Sequence, residues 1–421
     1  RLVSDWSSDV CSSDLKSTPY WRLKMSKSTL TPTVRALGWV SLCTDFASKM
    51  VYPITPIFLT SVLGAPVWSV GVIEGIAESV ASLLKLYSGW LSDRVGQRKP
   101  FAVAGYGLGA LSKLGLALSA SWGAVLGARL LDRIGKGLRA APRDVLIMEN
   151  CALEQRGQAF GLHHSLETVG EVLGPLLGMV LLGWVGYRGV FAVAFIPALL
   201  GVFVLFRWVR ESRCETKPRS RPQFMLQGLS PAYRRFLLVV GLFSLGNSSD
   251  AFLLLRSQDL GLTGRQLLLL YAMFNLVETY LGLAAGRLSD RIGRRPLLVM
   301  GYAVFALVYL GFALAHKAEI VWGLFMFYGL YSTLTRGVQK AFVADLVHPE
   351  RRGAEVGTFH MLIGLATLPA SLIAGWLYTQ VSVAAPFYFS VTTTIVAIGL
   401  LISMRHTSDP GDLSVSSSGF L

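Results

Sequence analysis

The chain is 421 residues long, 52% hydrophobic and only 15% charged, with a mean hydropathy of +0.52. Soluble domains carry about 25% charged residues, so a conventional soluble enzyme is excluded, and apolar runs long enough to cross a bilayer recur along the whole length. The net charge of +14 is compatible with nucleic acid, a membrane surface or an acidic ligand until its distribution along the chain is known.

In chain order, Asp5 to Leu15 (DWSSDVCSSDL) resembles the translated read-through of a sequencing adapter. It has no basic flank, apolar centre or small-residue cleavage site, so it does not read as a secretory signal. Residues 1–24 are expected to be a non-native or disordered leader with Met25 as the start, the alternative being a plain polar tail. A hydropathy window of about 19 residues predicts twelve spans near 34–59, 67–88, 101–120, 123–147, 158–182, 189–209, 233–256, 265–285, 297–315, 319–346, 354–379 and 384–404. The fold class is therefore an all-α membrane protein. The polar segment 210–232 separates an N-terminal bundle (25–209) from a C-terminal one (233–404) and is too short for a core of its own; 405–421 is left as a tail. The four cysteines show no paired spacing, so neither a disulfide framework nor a zinc site is indicated.

Lys and Arg sort by loop. One side holds Lys27, Arg35, Arg94 to Lys99, Arg156, the cluster Arg207 to Arg235, Arg287 to Arg295, Arg351 and Arg352; the other holds little beyond Arg188, Arg265 and Lys317. The positive-inside rule makes the first side, with both termini, cytoplasmic. The excess charge is then explained by topology and lipid headgroups rather than by nucleic acid.

The halves repeat. Gly89, Leu91, Ser92, Asp93, Arg94 and Gly96 recur 197 positions later as Gly286, Leu288, Ser289, Asp290, Arg291 and Gly293. After one deletion, Pro100, Tyr106, Glu154, Arg156, Gly157, Gly161 and His164 recur at an offset of 196 as Pro296, Tyr302, Glu350, Arg352, Gly353, Gly357 and His360. An even number of helices per copy gives both copies the same orientation, a parallel repeat about an axis along the membrane normal.

Three segments carry a family resemblance. Gly89-Trp-Leu-Ser-Asp93-Arg94-Val-Gly96-Gln-Arg98-Lys99, echoed by Gly286 to Arg295, is similar to a G-x-L-[AS]-D-R-x-G-[RK]-[RK] loop. Gly161, Gly170, Gly174, Pro175 and Gly178 on the fifth span resemble an antiporter glycine signature. Their spacing aligns the last three glycines on one face, where a neighbouring helix can approach closely; Pro175 adds a kink. Arg129 on the fourth span is similar to an intramembrane arginine in an R-x-x-x-G context, except that Arg133 stands in the glycine position. The chain thus resembles the major facilitator superfamily, in its antiporter-like branch, over about residues 34 to 404. The resemblance implies gating roles for Gly89, Asp93, Arg94, Gly96, Arg98 and Glu149, with Asp93 on the start of span 11 and Arg98 on Glu149. In the second copy it implies them for Gly286, Asp290, Arg291, Gly293 and Asp345. A basic turn that only sets topology, and glycines that only pack helices, are the alternatives.

The fourth span runs Arg129-Leu-Leu-Asp132-Arg133-Ile-Gly-Lys136-Gly-Leu-Arg139-Ala-Ala-Pro-Arg143-Asp144. At helical period its charges fall within an arc of about 140°. Each deep charge facing lipid would cost about 2.5 to 3.5 kcal/mol, so Arg129, Asp132, Arg133 and Lys136 are expected to face water or counter-charges. Arg139, Arg143 and Asp144, nearer the helix end, are expected to reach the interface. Counter-charges are Asp45 and Lys49 on span 1, Glu74, Glu78 and Lys85 on span 2, and His164, Glu167 and Glu171 on span 5. The second half offers Asn247 to Asp250, Asn275 and Glu278, Arg336, Gln339, Lys340 and His360. Asp45, Lys49, Glu74, Glu78, Arg129, Asp132, Arg133, Lys136, His164, Glu167, Glu171, Asp250, Glu278 and Arg336 are the expected substrate or proton pathway, the alternative being salt bridges that only fix packing. Asp45, Glu78 and Glu171 lead as proton sites. Trp39, Tyr52, Tyr87, Phe243, Phe252, Tyr271, Phe274, Tyr328 and Tyr331 are aromatic candidates, most of them expected to pack.

No nucleophile motif or nucleotide loop is present, and Gly105-x-Gly107-x-Gly109 inside an apolar span reads as helix packing. Neither enzymatic activity, a cofactor nor a bound metal is expected. The expectation is a monomeric, multi-pass plasma-membrane transporter, of a bacterial inner membrane, exporting a small organic solute, an anionic one in one form of the reading, against protons. Uptake or exchange of an organic anion by symport, and a non-transporting sensor or scaffold, stand as alternatives.

Overall fold

Helices begin where side chains take over backbone N–H groups that the helix itself leaves unpaired. Thr31 accepts from Val34, Ser121 from Ala124 and Ser230 from Tyr233, while Thr263 and Gln266 cap each other's backbone reciprocally. The computed structural model describes residues 30–151, 155–211, 229–347 and 352–404; within these, the side chains of Leu86, Asp93, Arg156, Leu283, Arg287, Asp290, Ala344, Arg352 and Ala354 and the surroundings of Gly157, Gly286 and Gly353 lie outside the described set. The leader, most of the 210–232 segment and the tail also lie outside the described residues.

Twelve membrane-length helical stretches follow among the described residues. In the first half these are α1 (Pro32–Val51), α2 (Val67–Val95), α3 (Lys99–Leu118), α4 (Trp122–Glu149), and the run Arg156–Trp208. Gly186, at φ 66°, breaks that run into α5 (156–185) and α6 (187–208), a backbone state that glycine adopts without strain. The second half holds α7 (Pro231–Asp259), interrupted at 247–250, α8 (Gly264–Ile292), α9 (Arg294–Leu314), α10 (Ala318–Leu346), α11 (Arg352–Gln380) and α12 (Ala385–Ser403). The expected first span is regular only to Val51. Beyond it, Pro53 and Pro56 cannot donate, and the chain continues in irregular helical turns to Val62. Seven stretches, covering every helix except α1, α4, α8 and α10, are long and apolar enough to cross a membrane.

The same neighbours recur in each half: α3 packs on α4 and α6 as α9 packs on α10 and α12, and α1 packs on α5 as α7 packs on α11. The repeat extends to single contacts. A Cβ on Gly105 would sit 2.6 Å from the Gly135 carbonyl, and one on Gly301, 196 positions later, 2.6 Å from the Thr335 side chain. Lys99 donates to the Phe206 carbonyl at 2.9 Å; its counterpart Arg295 donates to the carbonyls of Leu401 and Ile402.

Between halves, α2 meets α11 and α5 meets α8. On the side away from the termini these contacts are close. A Cβ on Gly71 would lie 2.3 Å from the Ser371 carbonyl, Gly178 faces Leu268, and Gln258 donates to Ser61 at 2.6 Å. On the side that carries the termini, Gly161 on α5 and Gly282 on α8 have open space around them, and Tyr280 is exposed.

Candidate functional site

Small residues bring the charged helix α4 into the bundle. Gly105 and Gly109 let α3 lie against Gly135 and Arg139, and Gly137 lets α2 approach through Ala81 and Leu84. Ser88 fixes that second contact by donating to the Gly137 carbonyl at 2.8 Å. The charged face of α4 is thereby enclosed.

Its charges meet partners. Arg129 donates to Glu74 Oε1 through Nε at 3.0 Å and Nη2 at 2.6 Å, with the two side chains 5% and 7% exposed. The guanidinium also lies over the Tyr52 ring, 5.4 Å from its centre. Arg133 pairs with Glu78 at 3.2 Å, Lys49 with Glu171 at 3.0 Å, and Arg143 approaches Glu167 at 4.0 Å. Asp132 lies within 4.0 Å of both Arg129 and Arg133 and accepts from Lys113 at 2.6 Å. Lys113 is 2% exposed and was not among the expected site residues; a lone lysine in the middle of the third span is the signal that marks it, because a bare ammonium there is untenable.

These helices surround a cavity of about 320 Å³ between the halves. Asp45, Lys49, Glu74, Glu78, Arg129, Asp132, Arg133, Lys136, Glu167, Glu171, Asp250 and Arg336 of the expected pathway line it, together with Tyr52, Lys113, Arg139, Ser249, Tyr271 and Thr367. Arg336 lines the cavity and is itself 62% exposed, marking its open mouth on the terminal side. Seven carboxylates and seven cations contribute to the wall, so the cationic excess on α4 is balanced by other helices.

Three expectations are corrected. His164 does not line the cavity: its side chain is 74% exposed and lies 3.5 Å from Glu167, because adjacent helix positions face apart and it is His163 that turns into the bundle, buried at 2.6 Å from Ser41. Glu278 also stands outside the lining, held by Arg336 at 3.1 Å and Ser332 at 3.0 Å. Arg139, expected at the interface, is buried against the cavity, since α3 covers α4 through the two glycines. Of the aromatic candidates Tyr52 and Tyr271 reach the cavity, Trp39 and Tyr87 are exposed, and the others are buried in the second half.

The second half reproduces the framework without its charge. At the offset of 196, Lys113, Asp132 and Arg129 become Tyr309, Tyr328 and Phe325, whose rings adjoin. There Asp250 accepts from Tyr328 at 2.6 Å.

On the terminal side, Arg98 lies 3.9 Å from Glu149 and Arg294 donates to Asp345 at 2.6 Å. Gly96 and Gly293 take φ of 71° and 90° at the two turns, Gly89 packs on Ala141, Arg94 lies by Trp90, and Arg291 is exposed. Gly170, Gly174 and Gly178 face the backbone of α1: Cβ atoms there would lie 2.6 Å from the Leu42 carbonyl, 2.3 Å from that of Phe46 and 3.3 Å from that of Met50. Pro175 lies inside the helix beside them.

The family model described as Major Facilitator Superfamily matches residues 37–255 and again 236–418. An uncharacterised MFS-type transporter of Methanocaldococcus jannaschii is 34% identical over 384 residues, covering 89% of this chain and 94% of its own length. The multidrug resistance protein MdtH of Photorhabdus laumondii is 24% identical over 347 residues, 78% of this chain and 82% of that one. The crystal structure of the human organic anion transporter MFSD10 superposes with a TM-score of 0.65 at 18% identity, covering 88% of this chain and all but 1% of the other, at 99%. With its two repeated six-helix halves around a polar cavity, the chain belongs to the major facilitator superfamily and is a multi-pass membrane transporter of a small-molecule substrate.

Proposed function

We propose that this transporter exports a small organic solute in exchange for protons by alternating access. It works as a monomer in a plasma membrane of bacterial inner-membrane type, with both termini in the cytoplasm. Residues 25–209 and 233–404 are the two rocking units, joined by 210–232, and the cavity between them is the transport site. The orientation follows from the loop bias of Lys and Arg. The name of the relative MdtH supports export.

The observation that carries the reading is Asp45. It lines the cavity and, among the described residues, makes no ion pair or hydrogen bond, while Glu167, Glu171, Arg139 and Arg143 are its charged neighbours. A carboxylate left without a partner in an enclosed site can hold either a proton or the basic group of a solute, and not both. That exclusion is what exchange requires. Glu78 and Glu171 are already paired with cations, which ranks them behind Asp45.

Drug tolerance and released metabolites, compared between cells with and without the gene, identify the solute. Asp45→Asn is expected to abolish the difference at unchanged membrane expression; a fully retained difference counts against the reading. A second reading, anion uptake by proton symport, is favoured by one observation: Lys136 and Arg139 line the cavity and pair with no carboxylate among the described residues. The sign of the response to a pH gradient separates the two.

A further inference from the structure

The balance of the cavity wall conceals an uneven distribution. Arg129, Arg133, Lys49 and Lys113 each have a carboxylate within 3.2 Å. Lys136 and Arg139, one turn apart on α4, have no hydrogen bond or ion pair among the described residues. The charged neighbours of Lys136 are Arg133, Lys85 and Arg139 against the single carboxylate of Glu78, which Arg133 already engages. Arg139 stacks on Tyr106, 4.6 Å from the ring centre, and its Nη1 is buried with no hydrogen-bond partner. The room for that nitrogen comes from Gly109, where a Cβ would lie 2.9 Å from Nη1. A buried guanidinium N–H without an acceptor costs more than it contributes, and two adjacent cations in an enclosed site draw an anion.

We propose that Lys136 and Arg139 form an anion subsite that takes a carboxylate or phosphate group of the transported solute, and that Arg129 and Arg133, held by Glu74 and Glu78, do not. Asp45 lines the same cavity, with Glu167 and Glu171 but also Arg139 among its charged neighbours. The assignment rests on the cavity being the transport site, and not on the direction of transport or on protons.

The test uses purified full-length protein and measures its thermal unfolding with benzoate, phenyl phosphate and succinate. Each is compared with an uncharged counterpart: benzamide, phenol and succinamide. At least one anion is expected to raise the unfolding midpoint above its counterpart. The increment is expected to vanish in Arg139→Gln and Lys136→Gln, to persist in Arg139→Lys, and to be unchanged in Arg188→Gln, which lies on the opposite side of the membrane. The midpoints without ligand report whether each variant is folded. No anion outperforming its counterpart, or an increment surviving both glutamine substitutions, overturns the assignment. A failure of proton exchange would appear in flux measurements and leaves this result unaffected.

Discussion

Arg294 donates to Asp345 at 2.6 Å, and it does so 196 positions after Arg98 meets Glu149 in the first half. The two pairs are one device in two environments. Asp345 is half-exposed, whereas Glu149 is largely enclosed. Exposed pairs contribute about 0 to 1 kcal/mol and enclosed ones cost about 3 to 5 kcal/mol to break. Glu149→Gln is therefore expected to lower the unfolding midpoint clearly more than Asp345→Asn; equal effects would show that the two environments do not differ in strength.

The Arg129–Glu74 pair ties α4 to α2 with almost no water. Removing one partner strands the other, so Arg129→Met and Glu74→Met should each cost about 3 to 5 kcal/mol. The double substitution should cost less than either single one, because it leaves no uncompensated charge. Unfolding of the three proteins in detergent measures this directly, and additive losses would mean that the two side chains act independently.

Glycines of the same helix should differ sharply. Gly174→Ala places a methyl group 2.3 Å from the Phe46 carbonyl, and α1 has to move away. Gly161 has nothing within 4 Å, so Gly161→Ala is expected to be neutral or to gain up to about 1 kcal/mol of helix propensity. Size-exclusion profiles and unfolding midpoints distinguish the two. A Gly174→Ala protein as stable as its parent would contradict the close packing of α1 on α5.

The contact between Ser61 and Gln258 joins the halves on the side away from the termini. In a protein whose Cys11, Cys43, Cys151 and Cys214 are replaced by serine, Ser61→Cys with Gln258→Cys should be bridged by a short bifunctional methanethiosulfonate. Transport should stop and return on reduction. Unimpaired transport in the bridged protein would mean that this contact does not have to open.

Much of the architecture is legible in the sequence, because apolar runs, basic loops and a repeat held in register are properties of the chain itself. The charged arc of α4 is legible for the same reason. Which cation meets which carboxylate is not, since that depends on how closely α2 and α3 approach α4 at Gly137, Gly105 and Gly109. Arg139 illustrates the limit: its distance from the helix end suggests the interface, and only the cover provided by α3 keeps it inside. His164 shows the converse, being near Glu167 and Glu171 in sequence yet facing out while its neighbour His163 is buried against Ser41.

Exchange of solute for protons at Asp45 is tested most directly in proteoliposomes with an imposed pH gradient, using the solute identified by the drug-tolerance and metabolite comparison as the probe and reading its accumulation. Exchange predicts accumulation in vesicles with an acidic interior, lost when the gradient is collapsed and absent in Asp45→Asn. Accumulation in vesicles with an alkaline interior, or accumulation by Asp45→Asn equal to that of the parent protein, would contradict it.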